Sequence, residues 1–212
     1  QPLTYINTVI QTLLEEIEDE DIDFKLLNTR LKNSGEQVNR ITKIINHLRM
    51  YGRQDELINE TIDFSEVLDN ALLIISERLR LNNINLKIEI DQDINLLYGN
   101  PLQIEQVFLN FFTNAIDAFD EDKNNRNIVI HISADKTKII VEFSDNGKGI
   151  PNTIREKIFE PFFTTKKVGK GTGLGLSIIY GIIKQHNGEI TCTSNVGEGT
   201  KFTIVFSLSK TE

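Results

Sequence analysis

The chain has 212 residues, a formal net charge of −8 and 39% hydrophobic residues. That is enough apolar material for one large domain or two small ones, and the acidic balance argues against a nucleic-acid binder, which ordinarily shows a basic face. One cysteine, Cys192, allows no internal disulfide, three scattered histidines make no zinc constellation, and no apolar run reaches membrane-spanning length or has the layout of a secretory signal.

Residues 2–53 read as two helices. Leu3, Ile6, Ile10, Leu13 and Ile17 recur at spacings of three and four, and Leu27, Leu31, Ser34, Val38, Ile41, Ile45 and Leu48 do the same. This is a heptad seam, the pattern of helices packed at a shallow angle in a bundle. A lone hairpin cannot bury such a seam, so a second copy is the natural partner, giving a homodimer built on a four-helix bundle. The acidic run 15–23 joins the helices and reads as a solvated turn, in which Asp21 or Asp23 could cap the second helix. Gly52 ends that helix. The predicted organisation is a helical hairpin over 1–53, a polar hinge over 54–60 and a second domain over 61–212. The first residue is Gln1, inside a helical pattern, so the hairpin reads as truncated at its N-terminus.

Phe64 to Leu81 reads as a helix with Ser65 as a possible N-cap, and Leu86, Ile88 and Ile90 alternate with polar residues as in a half-buried strand. Asn100-Pro101-Leu102-Gln103 opens the next helix, with Asn at the N-cap, Pro at the first helical position and Gln at the third. It runs to about residue 119. Gln106, Asn110, Asn114 and Asp117 share one of its faces. Asparagine is a poor mid-helix residue, so two of them one turn apart need a reason. Taken alone they make an exposed polar face. Beside a nucleotide site they supply amide oxygens, hard ligands suited to the Mg²⁺ that accompanies a triphosphate.

Ile128, Ile130 and Ile132 form one strand face, Ile139, Val141 and Phe143 a second, and Phe202, Ile204 and Phe206 a third, with Ile190 and Cys192 in part of a fourth. The short loop around Asp135-Lys136 favours a hairpin. The expected fold class is therefore α+β, with a largely antiparallel sheet carrying helices on one face. His131 falls on the face opposite the isoleucines. His186 sits in a last helical turn before Asn187-Gly188, where histidine suits the dipole and glycine the cap. Neither histidine is assigned a catalytic role, and Cys192 reads as a small strand residue.

Residues 144–177 organise the rest. Asp145-Asn146-Gly147-Lys148-Gly149 closes a strand, Phe159 and Phe162 follow, and Gly171-Thr172-Gly173-Leu174-Gly175-Leu176-Ser177 leads into an apolar helix. Glycines ahead of a helix suit an anion, because the backbone can approach closely and the first-turn N–H groups are free. A carboxylate before a paired-glycine turn suits the exocyclic amino group of adenine and not the carbonyl of guanine. Neither Walker A nor Gly-x-Gly-x-x-Gly is present. Each piece alone is a plain turn or loop; the ordered set is specific.

With these boxes placed, the chain resembles the sensor histidine kinases of two-component systems over almost all 212 residues. The second domain is similar to their ATP-binding domain, an α/β sandwich of the GHKL type shared with gyrase, chaperone and mismatch-repair ATPases. The resemblance implies that Asn114 binds Mg²⁺ with Asn110 beside it near the phosphates. It implies that Asp145, Gly147 and Gly149 form the adenine box, and that Phe159 and Phe162 form the phenylalanine box. Gly171, Gly173, Leu174 and Gly175 fall in the phosphate-contacting box, and residues 163–172, with Lys166, Lys167 and Lys170, in a mobile lid. The run 158–166 is closest to the nitrogen- and oxygen-regulating branch of the family.

The two helices are similar to the family's dimerisation and phosphotransfer domain, and Gln1-Pro2-Leu3 resembles the end of the segment His-Glu-x-x-Gln-Pro-Leu. The phosphorylated histidine would stand four positions before Gln1, and His47 lies outside the matching position. The implied activity is that of a cytoplasmic, homodimeric, ATP- and Mg²⁺-dependent protein histidine kinase core that serves the receiver domain of a response regulator. Two rivals stand beside it. An ATPase of the gyrase and chaperone group would carry a glutamate base where Asn110 stands, and an amide cannot act as that base. A non-enzymatic nucleotide-binding dimeric scaffold would not need intact glycine boxes.

Overall fold

The computed structural model describes residues 2–18, 23–35, 37–38, 59–91, 97–120, 122–166 and 171–208. The chain divides into two compact units, one formed by 1–55 with 164–174 and the other by 56–163 with 175–212. The expectations for Asp21, Ile41, Ile45, His47, Leu48, Gly52, Lys167 and Lys170 fall outside the described residues.

In the first unit, α1 spans Pro2–Glu18 and α2 covers 24–35. Asp23 caps α2: its Oδ1 accepts from the N–H groups of Lys25 and Leu26 at 2.8 and 3.1 Å. Arg30 Nη1 reaches back to Glu16 Oε1 at 2.5 Å and holds the hairpin. Seam residues Ile10, Ile17, Leu31 and Val38 are at least half exposed, as are Leu14 and Phe24. A single chain makes no four-helix bundle among the described residues.

The second unit begins with β1 (Glu60–Ile62), α3 (Phe64–Leu81), β2 (Ile84–Ile90), β3 (Leu97–Gly99) and α4 (Pro101–Ala118). It continues through β4 (Arg126–Ala134), β5 (Lys138–Asp145), a short 3-10 turn at Asn152–Ile154, α5 (Gly175–Gln185), β6 (Gly188–Asn195) and β7 (Gly199–Ser207). Among the described residues, β1 and β3 make a two-stranded ribbon, and the other strands form a sheet of order β2-β4-β5-β7-β6. The Asp135 hairpin between β4 and β5 is antiparallel, as are β5–β7 and β6–β7. The expectation of a largely antiparallel sheet needs one correction: β2 pairs with β4 in parallel, so the sheet is mixed. The connection from β2 to β4 passes through β3 and α4, and a crossover of that length returns the chain in the same direction.

The core lies between one sheet face and helices α3, α4 and α5. Ile128, Ile130, Ile132, Ile139, Val141, Phe143, Ile204 and Phe206 are essentially inaccessible. Phe111 of α4 stacks on Phe143 at 5.0 Å and meets Phe202 at 5.0 Å, while Phe112 sets its edge on Phe143 at 5.4 Å. Each such ring contributes about 1.5–3 kcal/mol of burial, so the sheet fixes the position of α4 strongly.

Three local expectations change. Asp63, not Ser65, is the N-cap of α3, its carboxylate accepting from Ser65 N–H at 2.8 Å. Asn100 does cap α4 and accepts from Gln103 N–H at 3.1 Å, but the Gln103 side chain turns away to Gln185. After α5 the left-handed residue is Asn187, with φ of 53°, not Gly188. Gly188 opens β6 where a Cβ would stand 2.8 Å from both Ile183 Cγ2 and Phe206 Cδ1.

Candidate nucleotide-binding site

Helix α4 is the spine of the site. Asn110 and Asn114 lie on the α4 face that meets the start of α5. A Cβ placed on Gly175 would stand 3.6 and 3.7 Å from the amide of Asn114 and 3.8 Å from Asn110 Oδ1. A larger side chain at 175 would project into the space in front of both amides. Each of these amides also has an Nδ2 that is buried and has no hydrogen-bond partner among the described residues. An orphaned buried polar group costs about 1–3 kcal/mol, which a packed protein core ordinarily avoids and a binding site accepts. An amide presents oxygen or N–H by rotating about χ2, so the pair fits a cation and its phosphates equally. No cluster of three or more His, Cys, Asp or Glu able to hold a metal is found among the described residues. A Mg²⁺ here would take one or two amide oxygens and complete its shell with phosphate oxygens and water, its usual habit.

The last residue of α4 braces the second half of the site. Lys148 N–H donates to Ala118 O at 2.9 Å, and a Cβ on Gly147 would stand 2.8 Å from that same oxygen. Gly147 is therefore glycine because α4 leaves no room for more. Its own N–H donates to Asp145 Oδ1 at 2.8 Å. The rest of the turn is clamped by β4 and its approach: Asn127 N–H donates to Asn146 Oδ1 at 2.7 Å, and Asn146 Nδ2 donates to Asn125 O at 2.9 Å. The Lys123 ammonium donates to Asn146 O. On the other side, Gly149 sits at φ of 72° with the Asn195 carbonyl against its Cα. Ile150 N–H donates to Ser194 Oγ at 2.8 Å.

Burial raises the Asp145 carboxyl to about 6, against smaller opposing effects of the Gly147 and Thr200 N–H groups and the Lys123 ammonium. At neutral pH the group is still ionised. It is a desolvated acceptor, well suited to an amino group that brings its own N–H.

The remaining predicted residues are placed as follows. Phe159 is half-buried between Tyr180 of α5 at 5.7 Å and Phe202 of β7 at 6.4 Å. Phe162 is 61% exposed and carries φ of 67°, a strained conformation for an aromatic residue. It does not join the core that holds Phe159. In the first unit, Lys166 N–H donates to Thr164 Oγ1 at 3.2 Å, and Gly171 lies against Thr164 and Lys166. Gly173 adopts φ of 67°, and Leu174 is buried with its N–H 3.4 Å from Thr172 Oγ1.

Sequence reasoning missed Ala118, Lys123, Ser194 and Thr200. Ser194 Oγ donates to Gly199 O at 2.6 Å and lies 3.0 Å from Thr200 Oγ1, knitting the β6–β7 turn beneath Asp145. The signal available was Gly197-Glu198-Gly199-Thr200, in which Gly199 at φ of 122° packs on the Asp145 carbonyl.

Residues 99–210, more than half of the chain, match the family described as "Histidine kinase-, DNA gyrase B-, and HSP90-like ATPase". The sensor kinase CckA of Brucella abortus is 40% identical over 189 residues, covering 82% of this chain but 20% of that protein. The catalytic domain of histidine kinase ThkA is 33% identical with a TM-score of 0.62, over 70% of this chain and 95% of that one. Histidine kinase ThkA in complex with the response regulator protein TrrA is 26% identical with a TM-score of 0.72, over 99% of this chain and 58% of that one. The chain thus spans a fifth of the full-length Brucella relative. It belongs to the histidine kinase-, DNA gyrase B- and HSP90-like ATPases, and within them its ATP-binding domain is that of a sensor histidine kinase.

Proposed function

We propose that this chain is the kinase core of a two-component signalling protein, homodimeric and cytoplasmic. It binds Mg²⁺–ATP and donates the γ-phosphoryl to a histidine, from which it passes to an aspartate of a response regulator receiver domain. Asp145 selects adenine through its desolvated carboxylate. Asn114, with Asn110 beside it, offers amide oxygens to Mg²⁺, which when bound would neutralise phosphate charge. The backbone of Gly171, Gly173, Leu174 and Gly175 and the lysines Lys166 and Lys170 attract the phosphates. The contribution of such residues to phosphoryl transfer is positioning and electrostatics. In this reading the helical hairpin supplies the dimer and the surface for the regulator, and a response regulator as partner is supported by the similar ThkA, which has been seen in complex with the response regulator TrrA.

The observation that carries the reading is the pair of buried, unpartnered Nδ2 groups of Asn110 and Asn114 on the face that meets Gly175. Nothing in a resting core calls for two orphaned donors one turn apart, whereas phosphate oxygens of a nucleotide can accept from both and leave the amide oxygens for its cation. Calorimetric titration with ATP and GTP, with and without Mg²⁺, tests it. The expected result is binding that prefers ATP, depends on Mg²⁺ and loses that dependence in Asn114→Ala. Equal affinity for the two nucleotides would sink the reading.

A further inference from the structure

Helices α4 and α5 run antiparallel. The middle of α4, at Asn110 and Asn114, meets the first residue of α5, and the start of α4 meets the last turn of α5. At that second end stands His186, 8% exposed. Its Nδ1 is 2.8 Å from Ile182 O and its Nε2 is 3.0 Å from the N–H nitrogen of Asn100. A carbonyl can only accept and an N–H can only donate, so Nδ1 carries the proton and Nε2 is the bare acceptor. The ring is locked as one neutral tautomer. Burial pushes its pKa below the ordinary histidine value, with the Ile182 carbonyl acting in the opposite sense. The groups that face it, Asn100 from α4, Ile182 from α5 and the Phe206 ring from β7, are uncharged. The side chain also dictates its surroundings, because Gly99 has no room for a Cβ beside the imidazole. A second strap runs alongside, from Gln103 Nε2 to Gln185 Oε1 at 3.1 Å.

We propose that His186 is a positioning residue for the nucleotide site: by accepting the Asn100 N–H it fixes the start of α4 on the end of α5, and so sets Asn110 and Asn114 against Gly175. The inference rests on the nucleotide-binding reading of those two asparagines. Ten residues of helix separate Asn100 from Asn110, about 15 Å of stiff rod, so a shift at the cap is carried to the amides. An amide-bearing side chain with its acceptor near the Nε2 position reproduces the clasp, whereas an aromatic ring of similar size fills the space but takes the imidazole acceptor away from the Asn100 N–H.

The test compares His186→Gln with His186→Phe by Mg²⁺–ATP titration of the whole chain. His186→Phe is expected to weaken binding roughly tenfold and His186→Gln less than about twofold, the scale of an ordinary intramolecular coupling. Coupling is reciprocal, so saturating Mg²⁺–ATP should also slow hydrogen exchange of the wild-type Asn100 amide beyond the slowing at Ile130 in the core sheet. That measurement needs no variant and decides the matter if His186→Phe does not fold. Wild-type affinity in His186→Phe, or an Asn100 amide that responds no more than Ile130, overturns the proposal while leaving the nucleotide site intact. A wild-type chain that binds no nucleotide overturns the site and the proposal together.

Discussion

The carbonyl oxygen of Ala118, the last residue of α4, accepts the N–H of Lys148 at 2.9 Å. This bond joins the two halves of the candidate site. The helix that presents Asn110 and Asn114 also ends against the turn that holds Asp145, so one rigid element sets the spacing between the asparagine pair and the carboxylate.

A methyl group on Gly147 tests that join. It would stand 2.8 Å from Ala118 O and 2.9 Å from Ala118 Cβ, both part of a packed helix end. Gly147→Ala should destabilise the chain by about 1–3 kcal/mol, as other overpacked sites do, and abolish tight ATP binding. Gly197→Ala serves as the control: nothing lies within 4 Å of its Cβ and only its φ of 85° opposes it. It should cost about 1–2 kcal/mol and leave ATP affinity unchanged. Urea denaturation and calorimetry read both, and unaltered ATP binding in Gly147→Ala would show that the turn is not part of the site.

Asp145 sets stability against binding. Burial raises its carboxyl from 3.8 to about 6. A raised carboxyl pKa means that the folded chain holds its proton more tightly than the unfolded chain. The stabilisation is fully present below 3.8 and is lost as pH rises through about 6. At pH 7.5 the ionised group is a burden on the empty protein. Asp145→Asn should therefore raise the stability of the nucleotide-free chain at pH 7.5 by about 1–2 kcal/mol and erase the advantage near pH 4. The same change should weaken ATP binding about tenfold or more, since an amide is a poorer acceptor than a carboxylate. Thermal melts at the two pH values check the first part; a variant less stable than wild type at pH 7.5 would contradict it.

The lid segment 163–172 carries three lysines and two glycines and little to bury. If this segment closes over a bound nucleotide, it should be open to protease without one. Trypsin should cut within 166–170, and a non-hydrolysable ATP analogue with Mg²⁺ should slow the cut several-fold. Cleavage at the same rate with and without nucleotide would separate this segment from the phosphates.

Helix α1 leaves Ile10 at 50% and Ile17 at 57% exposure, both on its heptad seam. If two chains bury these seams in one bundle, Ile10→Glu with Ile17→Glu places charges in that core and should give monomers. ATP affinity should stay within about twofold, since the second unit keeps its own packed core. Sedimentation of wild type and variant at micromolar concentration reads the outcome, and a monomeric wild type would end the bundle reading.

Much of the molecule follows from local pattern. The alternation of Ile128, Ile130 and Ile132 determined which strand face is buried, because a strand with one apolar face has no other way to lie on helices. Asn100-Pro101 determined where α4 starts, since cap and first-turn chemistry are local. Spacing along one helix makes Asn110 and Asn114 neighbours, and spacing within one turn does the same for Asp145 and Gly147, while the family resemblance singled them out together with Gly175. Only the tertiary structure decided how distant segments meet. Nothing local says that β2 lies parallel to β4, that Ala118 is why position 147 must be glycine, or that Thr200 and Ser194 support Asp145 from another strand pair. His186 shows the difference most sharply. Its place near a helix end suggested a charged partner for the dipole, whereas 86 residues away in sequence the Asn100 N–H needed an acceptor, and burial keeps the imidazole neutral to provide one. Hydrogen bonds between residues so far apart depend on the packing of whole helices, and that is settled only when the core has formed.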